Sequence, residues 1–284
     1  MGNWEWPLVI FTVLGQTAVG MIFCLWLTER KRSKSGAAPS PEYQSFIKSS
    51  VLVSGLLLAV AMLASLFHLG QPLAAYRALT HLSTSWLSRE ILFFALTLGV
   101  WVYLFVLSRK PGTRLTGILA LTSLLGLLGI ISSALIYTLP RVPAWNNLGP
   151  VLFFLLTGLL LGALVIAALG RKALGQAEMK QTVCLALGSV LASLFLYLFY
   201  FSGLKVTPEG GATAQILFAS PLFWLRAVVG WLLPLILLLV TVSKKEKPQP
   251  GLILLVLTCG VVGELLGRGL FYLSAVGIQI LGLL

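Results

Sequence analysis

The sequence predicts an all-α integral membrane protein, a bundle of eight transmembrane helices. Three observations carry that prediction. Of the 284 residues, 58% are hydrophobic and only 10% are charged, whereas a soluble domain carries about a quarter charged residues. The mean hydropathy is +0.98. Eight runs reach the roughly 20 apolar residues that a bilayer crossing needs: 7–28, 46–69, 89–108, 115–138, 149–170, 181–204, 217–243 and 250–275. A single membrane domain over residues 1–284 accommodates all of them.

The first run follows MGNWEW, which has neither a basic segment nor a small-residue cleavage site, so it reads as a retained span. The second begins after ERKRSKSGAAPSPEYQ and ends at His68, with Gly70 and Pro72 just beyond. The third has the least sharp start, because YRALTHLSTSW before it is amphipathic and suits the interface. RKPGTR divides the third run from the fourth, LPRVPAWNNLG the fourth from the fifth, and RKALGQAEMK the fifth from the sixth. The sixth run holds FLYLFYF (195–201), a lipid-facing or packing surface, and KKEKPQP precedes the eighth.

Orientation follows from the basic residues. Thirteen of the 20 Lys and Arg sit in the odd-numbered loops: Arg30, Lys31, Arg32 and Lys34; Arg109, Lys110 and Arg114; Arg171, Lys172 and Lys180; Lys244, Lys245 and Lys247. The even loops hold only Arg77, Arg141 and Lys205. Positive loops stay in the cytoplasm, so both termini are expected to be periplasmic. Trp4, Trp6, Trp86 and Trp145 fall on the outer side as interfacial anchors. The formal charge of +12 thus reflects topology rather than a nucleic-acid partner.

Cys24, Cys184 and Cys259 are scattered through apolar runs and read as buried, inert thiols, with no spacing for zinc or an iron–sulfur cluster. A membrane b-type haem needs two facing histidines. Only His68 is intramembrane, since His81 reads as a solvated loop residue, so neither haem nor metal is expected in this chain.

An ionisable side chain inside a span is costly. At about 1.5 Å of rise per residue, Gln16, His68, Arg89, Glu90, Arg226, Glu264 and Arg268 all fall in the outer half of the bundle. Structural readings accompany each. His68 can simply end a helix, and Glu90 can follow an N-cap at Ser88. Glu264 and Arg268, spaced i,i+4, suit an ion pair, with Arg226 as a further partner for Glu264. Gly260, Gly263 and Gly267 suit close helix packing.

The polar set beside an apolar lining suits a quinone head group. Oxidising a quinol releases two protons and two electrons. His68 is then the proton acceptor and Glu90 a relay towards water, while the electrons must leave to a partner on the outer face. A proton-coupled secondary transporter and a scaffold with no site of its own are the competing classes.

EWPLVIFTVLGQ (5–16), FHLGQPLAAYRAL (67–79), LSREI (87–91) and GELLGRGLFY (263–272) resemble the membrane anchor subunit of the bacterial dimethyl sulfoxide reductase family. Anchors of polysulfide- and tetrathionate-type reductases carry similar HLG-x-P stretches, so a related reductase is the alternative. The resemblance implies an inner-membrane anchor that oxidises menaquinol in anaerobic respiration. Its partners would be a four-cluster iron–sulfur subunit and a molybdenum-cofactor catalytic subunit on the periplasmic face, and reduction of the terminal acceptor would take place outside this chain. The family's quinol-site His falls on His68 and its functional Glu on Glu90. Gly70, Gln16, Arg226, Glu264 and Arg268 complete the candidate quinol-binding set. One departure stands out: the family pattern HLG-x-P-x-R has Ala74 at its basic position, and the nearest Arg is Arg77.

Overall fold

The computed structural model describes residues 5–36, 40–67, 80–244 and 246–278. His68, Gly70, Ala74, Arg77, Trp4 and Lys245 lie outside the described residues. The described elements are helical: α1 (Trp6–Ser35), α2 (Pro41–Leu66), α3 (Trp86–Ser108), α4 (Thr116–Leu135), α5 (Gly149–Leu169) and α6 (Gln176–Leu204). They continue with α7 (Pro208–Ala219), α8 (Pro221–Arg226), a π-helical segment (Ala227–Leu232), α9 (Leu233–Ser243) and α10 (Pro250–Leu273). Counting Pro221–Ser243 as one rod, eight helices among the described residues are long and apolar enough to span a membrane. The protein is a multi-pass membrane protein.

The helices depart from the apolar runs in two ways. α1, α2 and α6 extend beyond them at their charged ends, because Lys, Arg and Glu are good helix formers once water takes over from lipid. α1 stops only where Gly36 takes a left-handed φ of 66°, a conformation that favours glycine. The seventh run is shortened at its start. Pro208 and Pro221 each open a helix, as proline's missing N–H is tolerated there, and the extended backbone of Ser220 separates α7 from α8.

Pro234 has a further effect. In a regular α-helix its nitrogen would face the Gly230 carbonyl with no proton to donate, and its ring would clash there. The helix widens instead: the Leu233 N–H bonds to the Val228 carbonyl, five residues back. The π-helical segment is that widening.

The loops sort into two ends. Lys31 Nζ donates to the Ala177 carbonyl at 3.3 Å, and Arg171 Nε to the Pro248 carbonyl at 3.3 Å. The first, fifth and seventh loops therefore share one end, the basic end, and a cavity there joins the first loop to the third. At the opposite end, Ile278 N–H donates to the Arg141 carbonyl at 2.8 Å, and Val276 N–H to Thr213 Oγ1 at 3.1 Å.

The basic half is filled by the larger apolar core, which includes Met21, Leu25, Phe46, Leu104, Leu119, Leu164 and Met179. α1 and α5 meet there almost backbone to backbone. A Cβ on Gly20 would sit 1.8 Å from the Gly158 carbonyl oxygen, and one on Gly162 would sit 2.2 Å from the Gly20 carbonyl carbon. Small residues permit this approach, in which dispersion drives helix association within lipid.

Candidate functional site

α10 organises the polar cluster. Gly263 faces Gly230 of the π-helical segment so closely that a Cβ on it would lie 2.2 Å from the Gly230 Cα. Gly267, one turn later, faces a side chain: its Cβ would meet the Arg226 guanidinium at 2.4 Å. Of the three glycines expected to pack helices, Gly267 instead makes room for an arginine. Arg226 is buried, donates to the Tyr197 hydroxyl, and stacks its guanidinium 4.6 Å from the Trp231 ring centroid.

The expected ion pair between Glu264 and Arg268 does not form, and Arg226 is not the partner of Glu264 either. Each residue of the i,i+4 pair has its own partner on a different helix. Thr157 of α5 donates to Glu264 Oε2 at 2.5 Å. Arg268 Nη2 donates to Gln16 Oε1 of α1 at 2.8 Å, and its guanidinium lies 3.6 Å from the Phe154 ring centroid. Side chains that share a helix face can still diverge when neighbouring helices offer better hydrogen bonds than a dehydrated ion pair would.

Glu90 enters from α3. It is 5% exposed, and Ser133 of α4 hydrogen-bonds its carboxyl. The cap of α3 is Ser85, whose hydroxyl accepts from the Ser88 N–H, not Ser88 as expected. Glu90 therefore lies in the second turn, beyond the reach of an N-terminal capping role. Its neighbour Arg89 turns away to the Leu82 and Ser83 carbonyls, at 2.9 and 2.7 Å, and so stands outside the cluster.

Two tyrosines lie near the carboxyl and the guanidinium. The hydroxyls of Tyr137 and Tyr272 are 3.0 Å apart, and both rings lie within electrostatic range of Glu90 and Arg268. Trp145 stacks on Phe271 at 5.2 Å and donates to its carbonyl. Trp145 remains partly exposed. Trp6 and Trp86 are exposed.

The cluster thus gathers Gln16, Glu90, Glu264 and Arg268 from three helices, α1, α3 and α10, with Arg226 beside them. Its two guanidiniums and two carboxyls are nominally balanced. Four buried donors nonetheless lack an acceptor among the described residues: Gln16 Nε2, Arg226 Nε, Trp231 Nε1 and Arg268 Nε. An unsatisfied buried donor costs about 1–3 kcal/mol, so the site is suited to a ligand that brings acceptor oxygens. No group of His, Cys, Asp or Glu among the described residues can hold a metal. Cys24 and Cys259 are buried as expected, whereas Cys184 is exposed.

Sequence reasoning does not single out Thr157, Tyr137, Tyr272 or Tyr197. Tyr272 closes the GELLGRGLFY stretch, and Tyr197 lies within FLYLFYF, where helical spacing turns Phe195, Leu198 and Phe199 outward and Tyr197 inward. Thr157 gives no such signal. His81 is exposed, as expected of a loop residue.

A family model described as DMSO reductase anchor subunit (DmsC) matches residues 1–273. The YnfH chain of anaerobic dimethyl sulfoxide reductase from Escherichia coli (strain K12) is 34% identical, over 96% of this protein and 96% of that one. The C chain of anaerobic dimethyl sulfoxide reductase from the same organism is 28% identical over 94% of each. The sulfite dehydrogenase C subunit of Allochromatium vinosum is 37% identical over 133 residues, 41% of this protein and 40% of that one.

Proposed function

This protein belongs to the DMSO reductase anchor subunit family, and from that premise we propose that it oxidises menaquinol at its buried polar cluster. The electrons pass to an iron–sulfur partner with four clusters, and from there to a molybdenum-cofactor catalytic subunit on the periplasmic face of the inner membrane. Both termini of the anchor are periplasmic in this reading, and the complex serves anaerobic respiration.

The observation that carries the proposal is a set of buried donors with no acceptor among the described residues, beside a carboxyl and two facing tyrosine hydroxyls. A quinol head group carries two oxygens and an apolar ring, which match the donors and the aromatic lining of Phe154 and Phe271. Arg268 and Gln16 orient one ring oxygen. His68, from the HLG-x-P stretch, takes a proton from the quinol. Glu90 relays the proton outward. Two protons and two electrons leave each quinol, the protons to the outer water and the electrons to the partner.

Since release is on the outer side and the electrons also leave outward, the step moves no net charge across the membrane. Turnover in proteoliposomes should be insensitive to a protonophore, and charge movement there would contradict this reading. The decisive experiment is quinol-dependent turnover of the assembled complex with His68→Ala, alongside artificial-donor activity and partner attachment. Loss of quinol oxidation alone supports His68 as the acceptor. Unchanged quinol oxidation moves the site to Glu264 and Arg268.

A further inference from the structure

At the basic end, a cavity of about 360 Å³ opens between the end of α1, the start of α2 and the connection from α3 to α4. That volume lies within the range of about 300–1,000 Å³ of ligand pockets. Arg32, Lys48, Lys110 and Arg114 line it, against a single acid, Glu29. The acid is already engaged, because the Tyr43 hydroxyl donates to its carboxylate at 2.8 Å. Arg32 stacks over the Tyr43 ring at 4.0 Å and lies 3.7 Å from Glu178.

Lys48, Lys110 and Arg114 form no ion pair or side-chain hydrogen bond among the described residues. Cations from two parts of the fold outnumber the one acid around this concavity and repel each other. An anion seated between them removes that repulsion. The positive-inside tendency alone would place these charges at this end, but it does not require them to converge on a cavity.

We propose that this cavity binds the phosphate-bearing head group of an anionic membrane lipid. Two features favour a lipid over a soluble phosphate. The cavity lies where spanning helices reach their polar ends, at head-group depth, with Lys48 half-buried seven residues into α2. Its wall also includes the buried apolar side chains Ile47 and Leu115, which suit the glycerol and upper acyl segments and serve no purpose for a free ion. Basic pockets between spanning helices are a recurrent way of holding such head groups.

The test uses the complete complex, stripped of lipid, titrated with short-chain phosphatidylglycerol and phosphatidylcholine, and read by native mass spectrometry. In the triple variant Lys48→Ala/Lys110→Ala/Arg114→Ala, phosphatidylglycerol binding should weaken about tenfold or more, with phosphatidylcholine unaffected. A control, Lys34→Ala/Lys172→Ala/Lys247→Ala, removes the same charge from the same end and should change binding less than about twofold. Lys110→Ala alone, in an exposed connection, is the variant least able to disturb folding, and should cost about fivefold. Equal losses in the triple variant and the control would overturn the proposal by reducing the effect to general surface charge. An unaltered affinity in Lys110→Ala would also overturn it. So would displacement of phosphatidylglycerol by millimolar inorganic phosphate, since the occupant would then be a soluble anion.

Discussion

Arginine serves the two ends of this bundle differently. At the basic end, Arg32, Arg109 and Arg114 sit on helix ends and connections, at least partly in contact with solvent, above a core of Leu, Ile, Met and Phe. At the opposite end, Arg226 and Arg268 are 6% and 5% exposed and hold their place through Tyr197, Gln16 and stacked rings. In the first half, the charges stay at the rim and the interior is apolar. In the second, the fold accepts the desolvation of two guanidiniums and two carboxyls, which is difficult to justify on stability alone. The apolar interior packs the helices together, and the buried charges gather where the proposed chemistry takes place.

That division can be broken most severely in the dry half. Gly162→Leu should abolish the assembled anchor, because the new side chain meets α1 backbone that cannot yield; the loss should exceed about 4 kcal/mol, read as membrane yield and thermal stability. A normal yield would show that the α1–α5 seam is not the foundation of the fold. In the polar half the effect should be on turnover instead. Glu90→Gln should lower quinol-dependent turnover about 100-fold while partner attachment and yield stay normal.

Arg268→Ala sharpens the comparison further, since it strips Gln16 of its donor. It should raise the KM for quinol by about tenfold with a smaller change in stability. A large loss of stability with unchanged kinetics would make Arg268 a structural residue. Thr157→Val, which removes the hydroxyl bonded to Glu264, should cost about 1 kcal/mol of stability, measured by thermal unfolding. Smallest of all, Cys184→Ser on the exposed face of α6 should change stability by less than about 0.5 kcal/mol and leave quinol turnover intact.

The eight spans were legible because hydropathy and length alone select a bilayer crossing. The sorting of the loops into two ends was legible because basic residues alternate with such regularity. Gln16, Glu90, Glu264 and Arg268 could be placed at one depth by counting rise along each run. What counting could not supply was rotation. The i,i+4 spacing put Glu264 and Arg268 on one helix face, but which neighbouring helix each side chain would meet depends on packing, so the expected ion pair gave way to Thr157 and Gln16. Tyr137 and Tyr272 were hidden for the opposite reason. A tyrosine near a helix end is common enough to carry no signal until two hydroxyls from distant parts of the sequence meet at 3.0 Å. The shortened seventh span depended on two prolines whose helix-starting role is unambiguous only once Ser220 is seen extended.

The widened turn before Pro234 has a consequence for how Pro221–Ser243 can evolve. An α-helix advances 100° per residue, so the extra residue held in a widened turn decouples the angular phase of its two halves. The downstream half can keep Leu238 aimed into the dry core while the upstream half independently aims Arg226 into the notch left by Gly267. A one-residue deletion between Ala227 and Leu232 would lock both halves into one screw, leaving either the leucine or the arginine on the wrong side of the rod.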